Sequence, residues 1–583
     1  MAIIVKNENK PRKKNGCLGT VIAFLIVYVI FNIVVGKSIG EMFTSSPTNI
    51  EDKSIYQLDL KGQLVEQAQQ TNPFADVLSE FSMQTITEVV GLDDILSNIA
   101  LAKEDNRIVG IYLKGGELLV QPACAKAIRD ALLDFKQSGK FVVAYAANYS
   151  NLNYYIASAA DTIYLNPVGH IAWDGLSAQK IYYKRLLEKI GVEMQIVKVG
   201  SFKSAVEPYF RTSMSNEDRK QTLQYVDGIW NEMVSAVAQS RNITPRNLNV
   251  YADECLSLKA SETYVDYGLV DKLVYVQALD SILSQYAGTT HYHLLTTSKL
   301  SEVKRSDSNA ADKIAVLYAE GGIVTEGVGG ISEKQMIKTI KKIYKDSSIK
   351  AVVLRVNSPG GSADASEQIW HAIKTLQDKG LPVVVSMGDY AASGGYYISA
   401  NADFIYAEPT TLTGSIGIFG TVPNLKELRS KIGVDIDEVK TNQHANFYEH
   451  VTMYGMNDKE YALMQSMVEN GYELFVKRCA DGRKMSVDAI KAIGEGRVWL
   501  GKDAVEIGLV DSLGNINDAI CKAAQLASIS QYTLVTYPEK KDPWLEMLEI
   551  LEGTSPEEKM VADLKEFVSQ PRIMTLTPMV VIK

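Results

Sequence analysis

The chain repeats itself. The stretch FVVAYAANYSNLNYYIASAADTIYLNP, from Phe141, aligns without a gap on VVVSMGDYAASGGYYISANADFIYAEP, from Val383, at an offset of 242 positions. Tyr154, Tyr155 and Ile156 fall on Tyr396, Tyr397 and Ile398, and Asp161, Ile163, Tyr164 and Pro167 fall on Asp403, Ile405, Tyr406 and Pro409. Further on, EKIGVEMQIVK meets SKIGVDIDEVK, so Gly191 meets Gly433 and Lys198 meets Lys440. YGLVDKL meets IGLVDSL, and IVGIYLKGG meets IKAVVLRVNSPGG. Self-similarity of this length means that one folding unit is built twice.

The boundaries follow. Copy one spans 54–287, a polar linker spans 288–311, copy two spans 312–535, and a tail spans 536–583. AVVLRV and LPVVVSM are continuous β-branched runs, as parallel strands covered on both faces require. ASEQIWHAIKTLQDKG between them has helical spacing and ends at Gly380. Strand, helix and strand alternating in this way predict an α/β fold in each copy. The tail has amphipathic helical spacing, which suits packing in a core or oligomer and also contact with a membrane surface.

One segment does not belong to a globular domain. Leu18 to Val35 carries no charge, and its length approaches the ~20 residues that cross a bilayer. Lys6, Lys10, Arg12, Lys13 and Lys14 precede it against the single acid Glu8. We therefore expect a basic cytoplasmic tail over 1–17, a transmembrane anchor over 18–36 and the rest of the chain outside. A cleaved signal peptide is the rival, but its apolar core is shorter, ~7–15 residues, and is followed by a small-residue cleavage site; here the exit reads GKSIGEMF.

Composition adds exclusions. A net charge of −9 over 583 residues argues against a nucleic-acid partner. The five cysteines, Cys17, Cys124, Cys255, Cys479 and Cys521, form no CxxC and no disulfide framework, and read as buried small hydrophobes. The six histidines are scattered; His291 and His293 lie in the linker, where a lone HxH is solvated more often than it binds metal.

The two copies differ where chemistry would sit. In DYAASGGYYISANAD, Ser393 follows a strand and precedes two glycines, a common way to present a nucleophile. Its counterpart in copy one is Asn151. In KVGSFKSAVEPY of copy one stands Lys203, and its counterpart in copy two is Ala445. Each copy lacks what the other keeps. One composite site assembled from both halves is the simplest reading. Serine with lysine is an established variant of the nucleophile–base pair. It needs a neutral amine, and burial lowers a lysine pKa from about 10.4 by up to ~3–5 units. Ser415, in TLTGSIGIFG, would hold the amine; Trp173 replaces it in copy one. Gly361 in RVNSPGGS and Gly394 would aim backbone N–H groups at an oxyanion. Singly, each has a bland reading: SGG and PGG are turn signals, and a lone lysine is usually solvated. Among the histidines, His371 reads as part of a helix face, and His444, beside the lost lysine position, is kept in reserve.

Together, SMGDYAASGGYYISANAD, RVNSPGGS, TLTGSIGIFG, GSFKSAVEPY and GRVWLGKDAVEIGLVDSLG resemble the long, duplicated form of the bacterial signal peptide peptidase A (protease IV) family. The resemblance runs from the anchor to about Val535. It implies two tandem ClpP/crotonase-like domains of repeated ββα units after an N-terminal transmembrane helix. It further implies a membrane-bound serine peptidase that cuts remnant signal peptides after their release from preproteins. Ser393 would be the nucleophile, Lys203 the general base, Ser415 its partner, and Gly361 and Gly394 the oxyanion donors; the sequence matches the family pattern at all five. No cofactor and no metal is implied. The implied location is the bacterial inner membrane, with the N-terminus in the cytoplasm and the catalytic part on the periplasmic side. The implied partners are cleaved signal peptides and apolar extended peptides, the membrane, and further copies of the chain in a bowl-shaped homotetramer.

Three other readings stand beside this one. A crotonase-like acyl-CoA enzyme would use the oxyanion turn without a Ser/Lys pair, but acyl-CoA is cytoplasmic. A non-catalytic membrane scaffold would need neither. A broader envelope quality-control protease would share the chemistry and differ in substrate.

Overall fold

The computed structural model describes residues 49–68, 88–303, 310–327, 330–539 and 572–576. The apolar run Leu18–Val35 and most of the tail lie outside them. Among the described residues no helix is long and apolar enough to cross a membrane.

Each copy builds an α/β sheet. The first sheet contains β1 (Ser54–Val65), β2 (Val89–Gly91), β3 (Ile108–Leu119), β4 (Phe141–Ala146), β5 (Thr162–Leu165), β7 (Lys272–Leu273) and β8 (His293–Thr296). The order is β2-β1-β3-β4-β5-β7, with β8 also on β1. Every pairing in it is parallel. β4 is buried on both faces and β1 mainly on one, where Tyr56, Leu58 and Leu60 alternate with Gln57, Asp59 and Lys61, and helices lie against the buried faces. In the helix Pro122–Lys136, for example, Ala125, Ile128, Leu132 and Phe135 are fully buried at helical spacing. The linker is less idle than its composition suggests, since β8 lies within it.

The second sheet contains β9 (Lys313–Glu320), β12 (Ile349–Ser358), β14 (Val383–Ala392), β15 (Phe404–Ala407), β16 (Leu412–Gly414), β18 (Val498–Leu500), β19 (Ser512–Leu513) and β20 (Thr533–Tyr537). The order is β18-β16-β14-β12-β9-β20, with β15 joining β14 to β19. Only β16·β18 is antiparallel. The runs AVVLRV and LPVVVSM form β12 and β14, and ASEQIWHAIKTLQD forms the helix Ala363–Asp378 between them.

A third sheet ties the halves together. It contains β6 (Glu193–Lys198), β10 (Ile323–Val324), β11 (Ile331–Ser332), β13 (Gly360–Ser362), β17 (Phe419–Asn424) and β21 (Arg572–Leu576), in the order β11-β10-β13-β21-β17-β6. β6 of copy one pairs antiparallel with β17 of copy two, from Phe419 opposite Lys198 to Asn424 opposite Glu193. Val197 is buried in the second core, while Leu412, Val498 and Leu500 are buried in the first. The repeat is therefore not symmetric. The copy-two counterpart of β6, residues 435–440, is irregular and almost wholly exposed.

The cysteine reading needs one correction. Cys124 and Cys479 are buried, but Cys255 and Cys521 are exposed. Cys255 lies in the turn after the helix Pro245–Asp253, and Cys521 lies on the outer face of the helix Ile516–Leu526.

Candidate active site

β14 delivers Ser393 into a sharp turn. Ser393 has φ 58° and ψ −115°, and the helix Gly394–Ser399 starts at the next residue. A non-glycine residue held there costs of order 1–3 kcal/mol, so its surroundings must impose it. They do: Ser393 N–H donates to Gly414 O at 2.8 Å, and Tyr397 N–H donates to Ser393 O at 2.8 Å. A Cβ on Gly395 would stand 2.6 Å from Ser358 O, so glycine alone lets the helix meet the turn after β12. Copy one has relaxed. There Ser150, at φ −72°, caps the helix Asn151–Ala157 in the ordinary way, accepting from Asn153 N–H.

Lys203 enters from the other half. It follows β6 in a loop pinned by Phe202 N–H donating to Glu495 O, and by Gln221 Nε2 donating to Phe202 O. The side chain is 1% exposed. Its aliphatic part runs past two glycines: a Cβ on Gly496 would lie 2.6 Å from Lys203 Cβ, and one on Gly417 would lie 3.3 Å from Lys203 Cδ. Its Nζ lies 2.8 Å from Ser393 Oγ, 3.1 Å from Ser415 Oγ and 3.1 Å from Ser415 O. Ser415 Oγ in turn donates to Gly496 O at 3.3 Å. Burial drives the Lys203 pKa well below the ordinary lysine value. Among the described residues no carboxylate pairs with it to restore the charge.

The remaining candidates separate into two groups. Gly394 is adjacent to Ser393, and Gly361 lies in β13, which packs against the helix Gly394–Ser399. Gly361 faces Ile323 of β10 on one side and Thr575 of β21 on the other. By contrast, His371 and His444 are exposed, and the His444 ring faces Phe447. Ala445, the counterpart of Lys203, is exposed too. Trp173, the counterpart of Ser415, is buried against Tyr154 and Trp230 and fills the space where copy one would have needed a hydroxyl. Among the described residues no group of His, Cys, Asp and Glu could hold a metal ion.

Sequence reasoning missed Gly417, Gly496 and Gln221, which shape and hold the lysine slot. The glycines of SIGIFG and GEGRVWLG were the available signal. It also missed β21, which lies antiparallel between β13 and β17, at the edge of the site.

A buried hydroxyl on a strained strand-to-helix turn, against a buried and uncompensated amine, is the grouping of a hydrolase with an activated serine. Residues 134–289 and 375–530 each match peptidase family S49. The chain belongs to that family and carries its unit twice; it is a serine peptidase. It is 38% identical over 500 residues to Protease 4 of Haemophilus influenzae, covering 82% of this chain and 80% of that one. It is 35% identical over 533 residues to Protease 4 of Salmonella typhi, with 89% and 85% covered. To the chloroplastic serine protease SPPA of Arabidopsis thaliana it is 31% identical over 477 residues, with 80% and 70% covered.

Proposed function

We propose that this peptidase hydrolyses extended apolar peptides, in particular remnant signal peptides after their release from preproteins, with Ser393 as nucleophile and Lys203 as general base. The observation that carries the reading is the 2.8 Å separation of Lys203 Nζ and Ser393 Oγ inside a site that disfavours the ammonium. A neutral amine has two N–H donors and one lone pair. The donors suit Ser415 O and Ser415 Oγ, whose own proton goes to Gly496 O. The lone pair is left for the Ser393 proton.

The steps then balance. Ser393 Oγ attacks the scissile carbonyl carbon while Lys203 takes its proton. The N–H groups of Gly394 and Gly361 stabilise the oxyanion. Lys203 returns the proton to the leaving amine as the C–N bond breaks. Water, deprotonated by Lys203, attacks the resulting ester, and Ser393 is released with its proton.

The substrate reading has its own support. The gap between β13 and β17 admits one strand antiparallel to both, as β21 demonstrates. An extended peptide bound there would gain main-chain hydrogen bonds beside the nucleophile. Signal peptides are apolar and stay in the bilayer. An anchor over 18–36, with its basic cytoplasmic flank, would hold the enzyme where they are. The fold we propose for each half is the ClpP/crotonase-like arrangement of repeated ββα units.

The duplication also bears on assembly. Within the chain β6 pairs with β17. The copy-two counterpart of β6 presents exposed Ile436 and Val439, and the copy-one counterpart of β17 contains exposed Ile181. The same pairing made between chains would bury these side chains and close a ring, in keeping with a homotetramer.

The test is hydrolysis of a fluorogenic apolar peptide by wild type, Ser393→Ala, Lys203→Ala and a mixture of the two variants. Both single variants should lose at least ~10³-fold in kcat, and the mixture should stay inactive if each pair forms within one chain. Full activity in Lys203→Ala would sink the mechanism. Faster cleavage of misfolded protein than of signal peptides would favour the quality-control reading.

A further inference from the structure

The two strands that carry the site lose contact with each other just before they reach it. β12 and β14 pair in register from Val352 opposite Val383 to Val356 opposite Met387. The next pair is Ser358 opposite Ala391. One residue of β12, Asn357, thus faces three of β14, Gly388, Asp389 and Tyr390. Bulges of this kind re-aim a strand beside an active site, and something must hold the bulged segment. Asp389 Oδ1 accepts from Ala123 N–H at 2.8 Å and Cys124 N–H at 3.1 Å, and Gly388 O accepts from Thr411 Oγ1 at 2.7 Å, while the remaining supports converge on a carboxylate from the opposite half.

Glu66 follows the last residue of β1 and is 3% exposed. Its Oε2 accepts from Arg355 Nε at 2.9 Å and its Oε1 from Arg355 Nη2 at 3.1 Å. Oε1 also accepts from Asn357 Nδ2 at 2.9 Å. Arg355 passes the link on, with Nη1 donating to Ser386 Oγ at 2.8 Å and Met387 O at 3.1 Å. Asn357 does the same, with Oδ1 accepting from Tyr390 N–H at 3.1 Å. A Cβ on Gly388 would stand 2.5 Å from Glu66 Oε1, so the bulge gives up a side chain to let the carboxylate in. Glu66 itself is fixed at both ends of its peptide unit. Its N–H donates to the Glu320 carboxylate at 3.1–3.2 Å, and its C=O accepts from Asp93 N–H at 3.2 Å.

Copy one supplies the contrast. Arg355 aligns with Lys114, whose side chain is 53% exposed and pairs with Asp59 at the surface. The β3·β4 pairing there ends at Lys114 opposite Tyr145 and does not resume beyond it, whereas β12 and β14 pair again at Ser358 opposite Ala391. The copy without the strained serine has neither the bulge nor the carboxylate.

We propose that Glu66 is a positioning residue of the active site, acting through Arg355 and Asn357 to set the turn bearing Gly361 against the strand end bearing Ser393 and Gly394. The inference rests on the roles proposed above for those three residues. The half that contributes the base thereby also sets the geometry of the oxyanion hole. Glu66 does not touch the reacting atoms. Its effect is on the distance between two N–H donors, one in β13 and one at the start of the helix that follows β14.

The experiment uses the full chain in detergent, the fluorogenic peptide, and a fluorophosphonate whose phosphoryl oxygen must occupy the oxyanion hole. Active-site concentration is taken from the labelled fraction. Glu66→Gln keeps the shape and removes the charge; Asn357→Ala removes the bridge from Glu66 to Tyr390 and leaves the Arg355 pair in place. Each should lower kcat ~10–100-fold, the effect of a small misplacement of reacting groups, with KM within about twofold. Labelling should slow in parallel. The double variant should be little worse than the worse single one, because both act along one route. Wild-type kcat per labelled site in both variants overturns the proposal, as does a fully additive double variant. If Glu66→Gln does not fold, Asn357→Ala carries the test alone. Ser393→Ala, run alongside, separates the two levels. Activity in Ser393→Ala removes the serine reading itself. An inactive Ser393→Ala with unimpaired Glu66→Gln and Asn357→Ala removes only the role of Glu66.

Discussion

Lys203 Nζ lies 2.8 Å from Ser393 Oγ although 190 residues of chain separate them. The contact depends on β6 crossing to pair with β17, so the amine reaches the serine as a consequence of the joining of the two halves. This relationship fixes what the site should do as conditions change.

The pH profile is the first consequence. Lys203 can serve as the proposed base only when neutral, and burial lowers its pKa well below the ordinary value of 10.5. kcat/KM should therefore rise with pH along an acid limb whose midpoint lies well below 10.5. A limb that persists unchanged in the residual activity of Lys203→Ala would assign it to another group.

Stability should rise with pH in the same sense as activity, although the lysine that activity needs is a cost to the fold. In the unfolded chain Lys203 titrates at its ordinary value, so between the folded and unfolded pKa values the unfolded state binds more protons. Stability then rises with pH through that window, and below it the full penalty of the buried amine applies. Lys203→Met, which keeps the apolar stem, should be inactive and yet melt at a higher temperature than wild type at neutral pH. The gain should shrink as the pH approaches 10.5. Differential scanning calorimetry at two pH values is sufficient to test this.

The lysine slot depends on glycine. Gly496 sits at φ 77°, and a Cβ there would meet Lys203 Cβ at 2.6 Å. Gly496→Ala should cost about 1–2 kcal/mol in backbone strain and lower kcat about tenfold or more by displacing the amine. Gly433→Ala is the control: its φ is 75°, but nothing lies within 4 Å of the added Cβ. That variant should lose comparable stability and keep its kcat. Equal kcat in the two would show that the slot does not hold the lysine.

β21 lies between β13 and β17, where an extended substrate is proposed to bind. Ending the chain before Arg572 should lower KM for an apolar peptide a few-fold and leave kcat unchanged. A rise in KM would instead make β21 part of the binding surface rather than a competitor for it.

Much of the molecule was legible from residues alone. The continuous apolar runs of β12 and β14 and the helical spacing of Ala363–Asp378 are local patterns, and they folded as such. The repeat showed that one unit is built twice and drew attention to Ser393 against Asn151 and Lys203 against Ala445. Other features had no local signal. Arg355 reads like any charged residue in a strand, and Glu66 like the polar end of one, yet the two are buried together across 289 positions. The glycines at 417 and 496 read as loop residues, and their purpose appears only when the stem of Lys203 is seen beside them.

The amino-acid sequence by itself determined that there are two α/β copies, where their strands and helices run, and which chemical groups each copy has kept or lost. Those properties follow from periodicity and self-similarity, which neighbouring residues carry. The tertiary structure decided which groups meet. A lysine can act as the proposed base, and a glutamate as the proposed brace, only where packing removes them from water and leaves specific partners within about 3 Å. That environment is assembled from strands far apart in the chain. The loss of solvation that lowers the lysine pKa belongs to the closed interface between the halves and to neither half alone.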